Sequence, residues 1–551
     1  AGIVVAVAAG NDGPDPGSLG SPSNSPWVIS VAAVTHDRTG PGDRLATFSG
    51  RGPVSPSGVL KPDVAAPGVS IRAAGPTGND IITLSGTSMA SPHVAGAAAL
   101  LAAARPTWNA DQIVSALSLT ARASSIVEFA DGLATTPHGR GAGTVDLEKA
   151  VNASLSFNVP VGAFRNANAG TASTLNLPSL ASGNCVEACT LERTVSVMPG
   201  AAGGQYQVIA NLPTGLALTT TPSTFTLAGG GSQALSFRFS TNAQSALNTW
   251  AYGSVTLRRV GGGTPDLTLP VAIYLSSGAV PPLQVRTVSG DRGFVDFNLG
   301  DIVSLANARF AATDLAVPVS KQEGLLQDST NSDPYDNLTD GVFFQNVPIN
   351  FNDGRTRAVQ VNVTLAPASS PAAQDFDLFV GVDTDADGQP ELSEERCKSV
   401  SSGATEACSI TVTHTGNNVP ITVWGLVQNW TASGTGARND ALLEMAAIDN
   451  LPSERQKATG PGNVPANTSF TARLVYDDPT LLNGQSRFGF LIVDRGPGVN
   501  AIRVPFKLTR NSATPSPFAM SAGVDRTMVL PAGAAQEYAY IDVPAGATQL
   551  T

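Results

Sequence analysis

Cysteine, histidine and charge are all scarce in this chain. Its 551 residues include 4 Cys and 4 His, and only 14% are charged. So few cysteines exclude a disulfide-scaffolded fold. They fall as two close pairs, Cys185/Cys189 and Cys397/Cys408, with no His or Cys neighbours at zinc spacing and no CxxC motif. This predicts two loop-closing disulfides in an oxidising, extracellular compartment. Basic residues are also few, and the net charge of -11 excludes nucleic acid as a partner, because phosphate binding needs basic patches. No run of about 18 apolar residues occurs, so no membrane span is expected. With 42% hydrophobic residues the chain is too apolar to be disordered.

What is abundant is Gly (56) and Pro (39), which punctuate short apolar runs throughout. At about 100–200 residues per domain, the length predicts three to five domains. Residues 1–152 read as α/β. The apolar runs 3–7, 28–34 and 81–84 lack alternation, as parallel strands covered on both faces do. A long Ala-rich helix follows from Ser88 to Ala104, stopped by Arg105-Pro106, and Asn109 caps a shorter one. Beyond residue 152 short strands and Gly turns take over, predicting several all-β sandwich modules at 153–278, 279–450 and 451–530. The segment 531–551 reads as the start of one more. The chain opens inside an apolar strand-like run with no Met or basic leader, and it closes in strand without a turn. Both ends are therefore expected to lie inside a longer polypeptide.

The most informative segment is Gly86-Thr87-Ser88-Met89-Ala90-Ser91-Pro92-His93-Val94-Ala95-Gly96. A strand, a tight Gly turn and a helix start place the Ser88 hydroxyl beside unpaired N–H groups and the positive end of the helix dipole. Both favour negative charge on a substrate oxygen attacked there. Pro92 is tolerated if it lies in the first turn, where N–H groups have no partner to lose. The small residues Ala95 to Ala98 suit a helix lying close against a sheet.

This string resembles the serine signature of the subtilisin-like proteases (subtilases). Ala8-Ala9-Gly10-Asn11-Asp12, Leu45-Ala-Thr-Phe-Ser-Gly50 and Lys61-Pro-Asp-Val-Ala-Ala-Pro-Gly68 are similar to further segments of that family, in the family's order. The resemblance covers roughly residues 1–150. It implies the C-terminal half of an α/β subtilase catalytic domain and a secreted endopeptidase that cuts protein or peptide substrates. Ser88 would be the acyl-forming nucleophile. The Asn11 amide and the Ser88 backbone N–H would form the oxyanion hole. Ala8, Ala9 and Gly10 would line the pocket for the substrate side chain before the scissile bond.

The acid–base pair of such an enzyme is missing. The family's His-Gly-Thr-His-like and Asp-Ser/Thr-Gly stretches do not occur. His93, five residues after Ser88, would sit about 7.5 Å along the helix and turned about 140° away, out of reach of the hydroxyl. His36 and His138 read as surface loop residues, and His414 falls in a β-module strand. The expectation is that the base His and its Asp lie upstream, leaving this chain inactive alone. The alternative is a surface adhesion or binding protein with a non-catalytic subtilase-like scaffold.

Downstream, 153–278 resembles the fibronectin-III-like domain that follows many subtilase catalytic domains, and 279–450 is similar to the prepeptidase-type C-terminal β-sandwich. The latter contains Asp383-Thr-Asp385-Ala-Asp387-Gly388-Gln389-Pro390-Glu391-Leu-Ser-Glu394. It fits D-x-D-x-D-G-x₅-E, which arranges oxygen ligands around a Gly bend. Asp383, Asp385, Asp387, Gln389, Glu391 and Glu394 are thus candidate ligands of a structural Ca²⁺ on a loop between strands. The competing reading is an acidic hairpin turn.

Overall fold

A computed structural model of the chain describes residues 2–512, apart from 37–42, 56, 79, 124–125, 129–132, 169, 243–244, 279–282, 301, 331–332, 369–373 and 495–500. The expected β-module start at 531–551 lies outside the described residues. The chain divides into two compact units, Ala1–Gly278 and Ala279–Thr551.

In the first unit, β1 (Ala6–Ala8), β2 (Ile29–Val34) and β4 (Val64–Pro67) are parallel neighbours. β3 (Asp43–Leu45) pairs antiparallel with β2 at its end. All six residues of β2 are buried, as both-face cover requires. β1 is the sheet's edge among the described residues, and Ile3 and Val5, just before it, are exposed. The expected strand Ile81–Leu84 exists as β6 but not in this sheet. It pairs antiparallel with β5 (Ile71–Ala74) in an exposed two-stranded hairpin. The parallel strand is instead Val64–Pro67, whose Ala and Pro content weakened its signal.

Helix α1 (Thr87–Ala104) buries Ala90, Val94, Ala97, Ala98 and Leu101, a stripe at helical period that packs on β1, β2 and β4. Ala97 and Ala98 provide the close approach; Ala95 and Gly96 face outward. Because α1 starts at Thr87, Pro92 falls in the second turn, not the first. Its missing N–H deprives the Ser88 carbonyl of its usual i+4 donor. Helix α2 (Ala110–Leu119) opens with a reciprocal capping box between Asn109 and Gln112.

The side chain of Lys61, 1% exposed, ties this sheet together. Its Nζ donates to the Val28 carbonyl at 2.7 Å and to Asp63 Oδ2 at 2.6 Å. The same Asp63 oxygen accepts the Ser30 N–H at 2.6 Å, so one buried ion pair joins the entrance of β2 to the approach to β4.

From the strand Leu155–Phe157 onward a β-sandwich forms, with one four-stranded and one five-stranded sheet. Leu235, Phe237 and Phe239 alternate inward from one of its long strands. Cys185 and Cys189 are disulfide-bonded. The sandwich is docked on α2. Ser115 Oγ donates to the Phe157 carbonyl at 2.8 Å and accepts its N–H at 3.0 Å, and Trp108 Nε1 donates to the Pro199 carbonyl. Buried residues of α1, α2 and the sandwich form one continuous core.

This docking overturns the surface placement of His138. The residue is 3% exposed, its ring edge-on to Trp250 (4.5 Å between centroids) and Tyr252 (5.4 Å), with Nδ1 3.1 Å from the Tyr252 hydroxyl. Sandwich aromatics some 110 residues away bury it, which the local Pro-His-Gly context could not reveal. Burial pushes its pKa down to about 4. Folding therefore favours the neutral ring: the stabilisation is complete above pH 6.5 and is lost as pH falls toward 4. At 1.36 kcal/mol per pKa unit this amounts to about 3 kcal/mol. His138→Phe, which keeps the ring contacts, is expected to flatten that dependence in urea unfolding of the first unit between pH 6.5 and 4. Equal slopes in both proteins would refute the assignment.

In the second unit, one sandwich spans Val319–Leu325 through Asn439–Asp449, with Phe376, Leu378 and Val380 in its core. Cys397 and Cys408 are disulfide-bonded across its sheets. The strands before it (Gln284–Val288, Arg292–Leu299, Arg309–Ala312) pair with strands after it (Phe470–Asp477, Ser486–Asp494, Ala501–Arg510). A boundary at 450/451 thus cuts through paired strands; the 319–449 sandwich is nested between two halves of another β-structure. No helix among the described residues is long and apolar enough to cross a membrane.

Candidate active site

Thr87, the first residue of α1, organises the site. It is fully buried and grips the loop after β1. Its backbone N–H donates to Asn11 Oδ1 at 3.0 Å, and its hydroxyl lies 2.9 Å from the same oxygen. The hydroxyl also meets the Gly10 carbonyl at 3.1 Å and accepts the Gly10 N–H at 3.2 Å. With Oδ1 held this way, the Asn11 Nδ2 donor is turned toward Gly86. A Cβ placed on Gly86 would stand 3.8 Å from Asn11 Nδ2 and 3.7 Å from the Ser88 backbone nitrogen. The two nitrogens therefore lie within 4 Å of one point beside Gly86, and Ser88 itself is exposed.

Ala8, Ala9 and Gly10 lie at the end of β1, with Ala9 buried. Gly10 has φ +102°, a backbone region that favours glycine, and its carbonyl also accepts the Gly50 N–H at 2.9 Å. In the sequence alone, Thr87 and Gly50 give little sign of this; a Thr at a helix start beside Ser88 is the available signal for the first.

None of the four histidines serves Ser88. His93 is exposed and its Nδ1 lies 2.8 Å from the Met89 carbonyl on its own helix. His36 is exposed after β2, as expected. His138 is buried against the sandwich. His414, in the strand Glu406–His414 of the second unit, accepts the Gly416 N–H and contacts the Val419 carbonyl.

Residues 1–143 match the model of the subtilase family. This stretch is a subtilase segment. Residues 174–273 match a fibronectin type-III domain, in agreement with the docked sandwich. Subtilisin-like protease SBT3.13 of Arabidopsis thaliana is 33% identical over 288 residues, covering 46% of this chain and 37% of that protein. SBT1.6 of the same plant is 42% identical over 138 residues, 22% of this chain and 18% of that protein. The chain thus spans about a third or less of the length of these curated relatives. Among solved structures, Sphericase aligns at 32% identity over 26% of this chain and 48% of its own, with a TM-score of 0.24.

Away from the subtilase segment, the acidic loop brings Asp383, Asp385 and Asp387 together, one carboxylate oxygen from each lying within 4.8 Å of the others. Each also accepts loop N–H groups: Asp383 from Ala386 and Gly388, Asp385 from Asp387, and Asp387 from Gln389. Glu394 does not join them. It is 2% exposed, and its carboxylate accepts the Thr384 N–H and hydroxyl and the Trp424 indole N–H. It braces the loop from beneath because the Trp424 indole N–H, buried in the sandwich, needs an acceptor. Glu391 is exposed and accepts from Ser393, and Gln389 is exposed beside Asp387.

Proposed function

We propose that the subtilase segment supplies the nucleophile and oxyanion hole of a secreted serine endopeptidase, whose base His and orienting Asp come from polypeptide N-terminal to residue 1. The carrying observation is the space at Gly86, flanked by the Ser88 N–H and the Asn11 amide. A peptide carbonyl seated there would be attacked by Ser88 Oγ, its proton passing to the base. The two donors stabilise the developing oxyanion, and the Thr87 clamp keeps Asn11 aimed without reorganisation during the step. Collapse expels the amine and leaves an acyl-Ser88 ester, which water then hydrolyses. The small residues Ala8 to Gly10 leave room for a large substrate side chain, and the two disulfides agree with an extracellular site of action. Fluorophosphonate labelling of the longer, folded polypeptide tests the reading. Labelling at Ser88 supports it; a folded protein that takes no label there favours an adhesion role for the scaffold.

We also propose that Asp383, Asp385 and Asp387 hold a structural Ca²⁺, with Glu394 fixing the loop rather than ligating. Three converging carboxylates repel one another, and a hard cation relieves this. Calcium at about 100 times its Kd should stabilise the second unit by about 2.7 kcal/mol. A chelator-reversible rise in Tm that survives combined Asp383→Ala and Asp387→Ala would rule the site out.

A further inference from the structure

The strand Asp375–Asp383 carries a second feature that neither the peptidase site nor the acidic loop uses. Phe376, Leu378 and Val380 point into the sandwich core, so Asp375, Asp377 and Phe379 project from the opposite face of their sheet. There they line a cavity of about 600 Å³. Tyr335 and Trp430 contribute further aromatic walls, and Leu392 and Val400 stand partly exposed at the same cavity.

The acids around this cavity are not equivalent. Asp375 accepts the Gly403 N–H at 2.8 Å, and Asp333 accepts the Tyr335 N–H at 3.0 Å. Glu395 accepts the Tyr335 hydroxyl at 2.8 Å and is paired with Lys398 at 3.6 Å. Glu406, on the strand behind, accepts from Ser399 and Ser401. Asp377 is only 7% exposed yet has neither a hydrogen-bond donor nor a counter-ion among the described residues. Gln428 lies directly opposite it on the paired strand, and its Nε2 donates to Asp328 at 2.5 Å. What surface this carboxylate keeps opens on the cavity, so only the cavity's solvent or an incoming group can satisfy it.

A metal ion is not what the cavity fits. Among the described residues, three metal-capable groups converge at Asp383, Asp385 and Asp387 and not here. A neutral ligand would leave the charge uncompensated. A cation on an aliphatic stem answers both features at once, its head reaching Asp377 and Asp375 and its stem lying along the aromatic walls. The cavity's single lysine, Lys398, is already engaged by Glu395.

We propose that this cavity binds a lysine or arginine side chain presented by another polypeptide, with Asp377 as the charge partner. The site stands independently of the chemistry at Ser88. Burial, then the neighbouring Asp375 and Glu406, push the Asp377 carboxyl up to about 6. The other charged groups facing it are Asp333, Glu395 and Lys398 from the cavity wall. Because the cation needs the ionised carboxylate, affinity should fall about tenfold between pH 7 and pH 5.

The test uses the 551-residue chain and three terminally blocked tripeptides, Gly-Arg-Gly, Gly-Lys-Gly and Gly-citrulline-Gly, titrated calorimetrically at pH 7.5. Saturable binding of the two cationic peptides, at least tenfold tighter than the citrulline peptide and weakened at least tenfold by Asp377→Asn, is the expected result. Asp377→Asn removes a buried uncompensated charge, so its Tm should be equal to or above that of the parent, which separates lost binding from lost folding. Three outcomes overturn the proposal: equal binding of the citrulline peptide, unchanged binding by Asp377→Asn, or no saturation up to about 10 mM peptide. Displacement of the bound peptide by CaCl₂ in an Asp383→Ala, Asp387→Ala background would assign the cavity to a metal and overturn it as well.

Discussion

Incubated alone with an unfolded protein substrate, the 551-residue chain is expected to leave it uncut. Ser88 is exposed, but the four histidines are otherwise disposed, with His93 held against the Met89 carbonyl. Without a base the hydroxyl is a poor nucleophile. The deficit should be about a millionfold in turnover, the scale known for a subtilase stripped of its base. Joined to polypeptide that supplies the His–Asp pair, the chain should cleave, and Ser88→Ala should abolish cleavage. Asn11→Ala in that active form should lower kcat by about 10²–10³, a magnitude carried over from the same family. Thr87→Val should lower it by a smaller factor, since it removes the hydroxyl but keeps the backbone N–H that holds Asn11 Oδ1. Robust hydrolysis by the isolated chain, abolished by Ser88→Ala, would disprove the missing-base account.

Replacing Lys61 by Met should destabilise the first unit by up to about 3–5 kcal/mol, because the half-buried Asp63 would be left as a charge without its partner. The second substitution Asp63→Asn should recover most of that loss: the neutral amide oxygen can still accept the Ser30 N–H, and no charge remains to be compensated. Urea unfolding at pH 7 measures both. If the double variant is no more stable than Lys61→Met, the loss arises from packing of the lysine stem and the ion-pair explanation fails. The segment Lys61-Pro-Asp63 was legible in the sequence as a family likeness; its physical reason is this joint between β2 and β4.

Local chemistry is legible in the sequence wherever the partners are close along the chain. The Asn109 helix cap and the Ala-rich helix α1 both follow from spacing a few residues long. Legibility fails where the partner is distant. Ile81–Leu84 has strand composition in either role, and only its pairing with Ile71–Ala74 puts it outside the parallel sheet. His138 looks like a loop residue until Trp250 and Tyr252 fold over it. Nothing near residue 450 announces that strands beyond it return to pair with strands near residue 290.

By itself the amino-acid order determined the subtilase likeness of the first 143 residues, the β-rich remainder and the place of Ser88 at a helix start, because glycine turns, helix ends and hydrophobic period act over a few bonds. Tertiary structure alone decided that Thr87 aims Asn11, that Glu394 turns away from its fellow acids to a buried indole, and that Asp377 is left unpaired in a cavity. Each of these depends on which groups a closed, dehydrated core can satisfy, and that is settled only when distant strands meet.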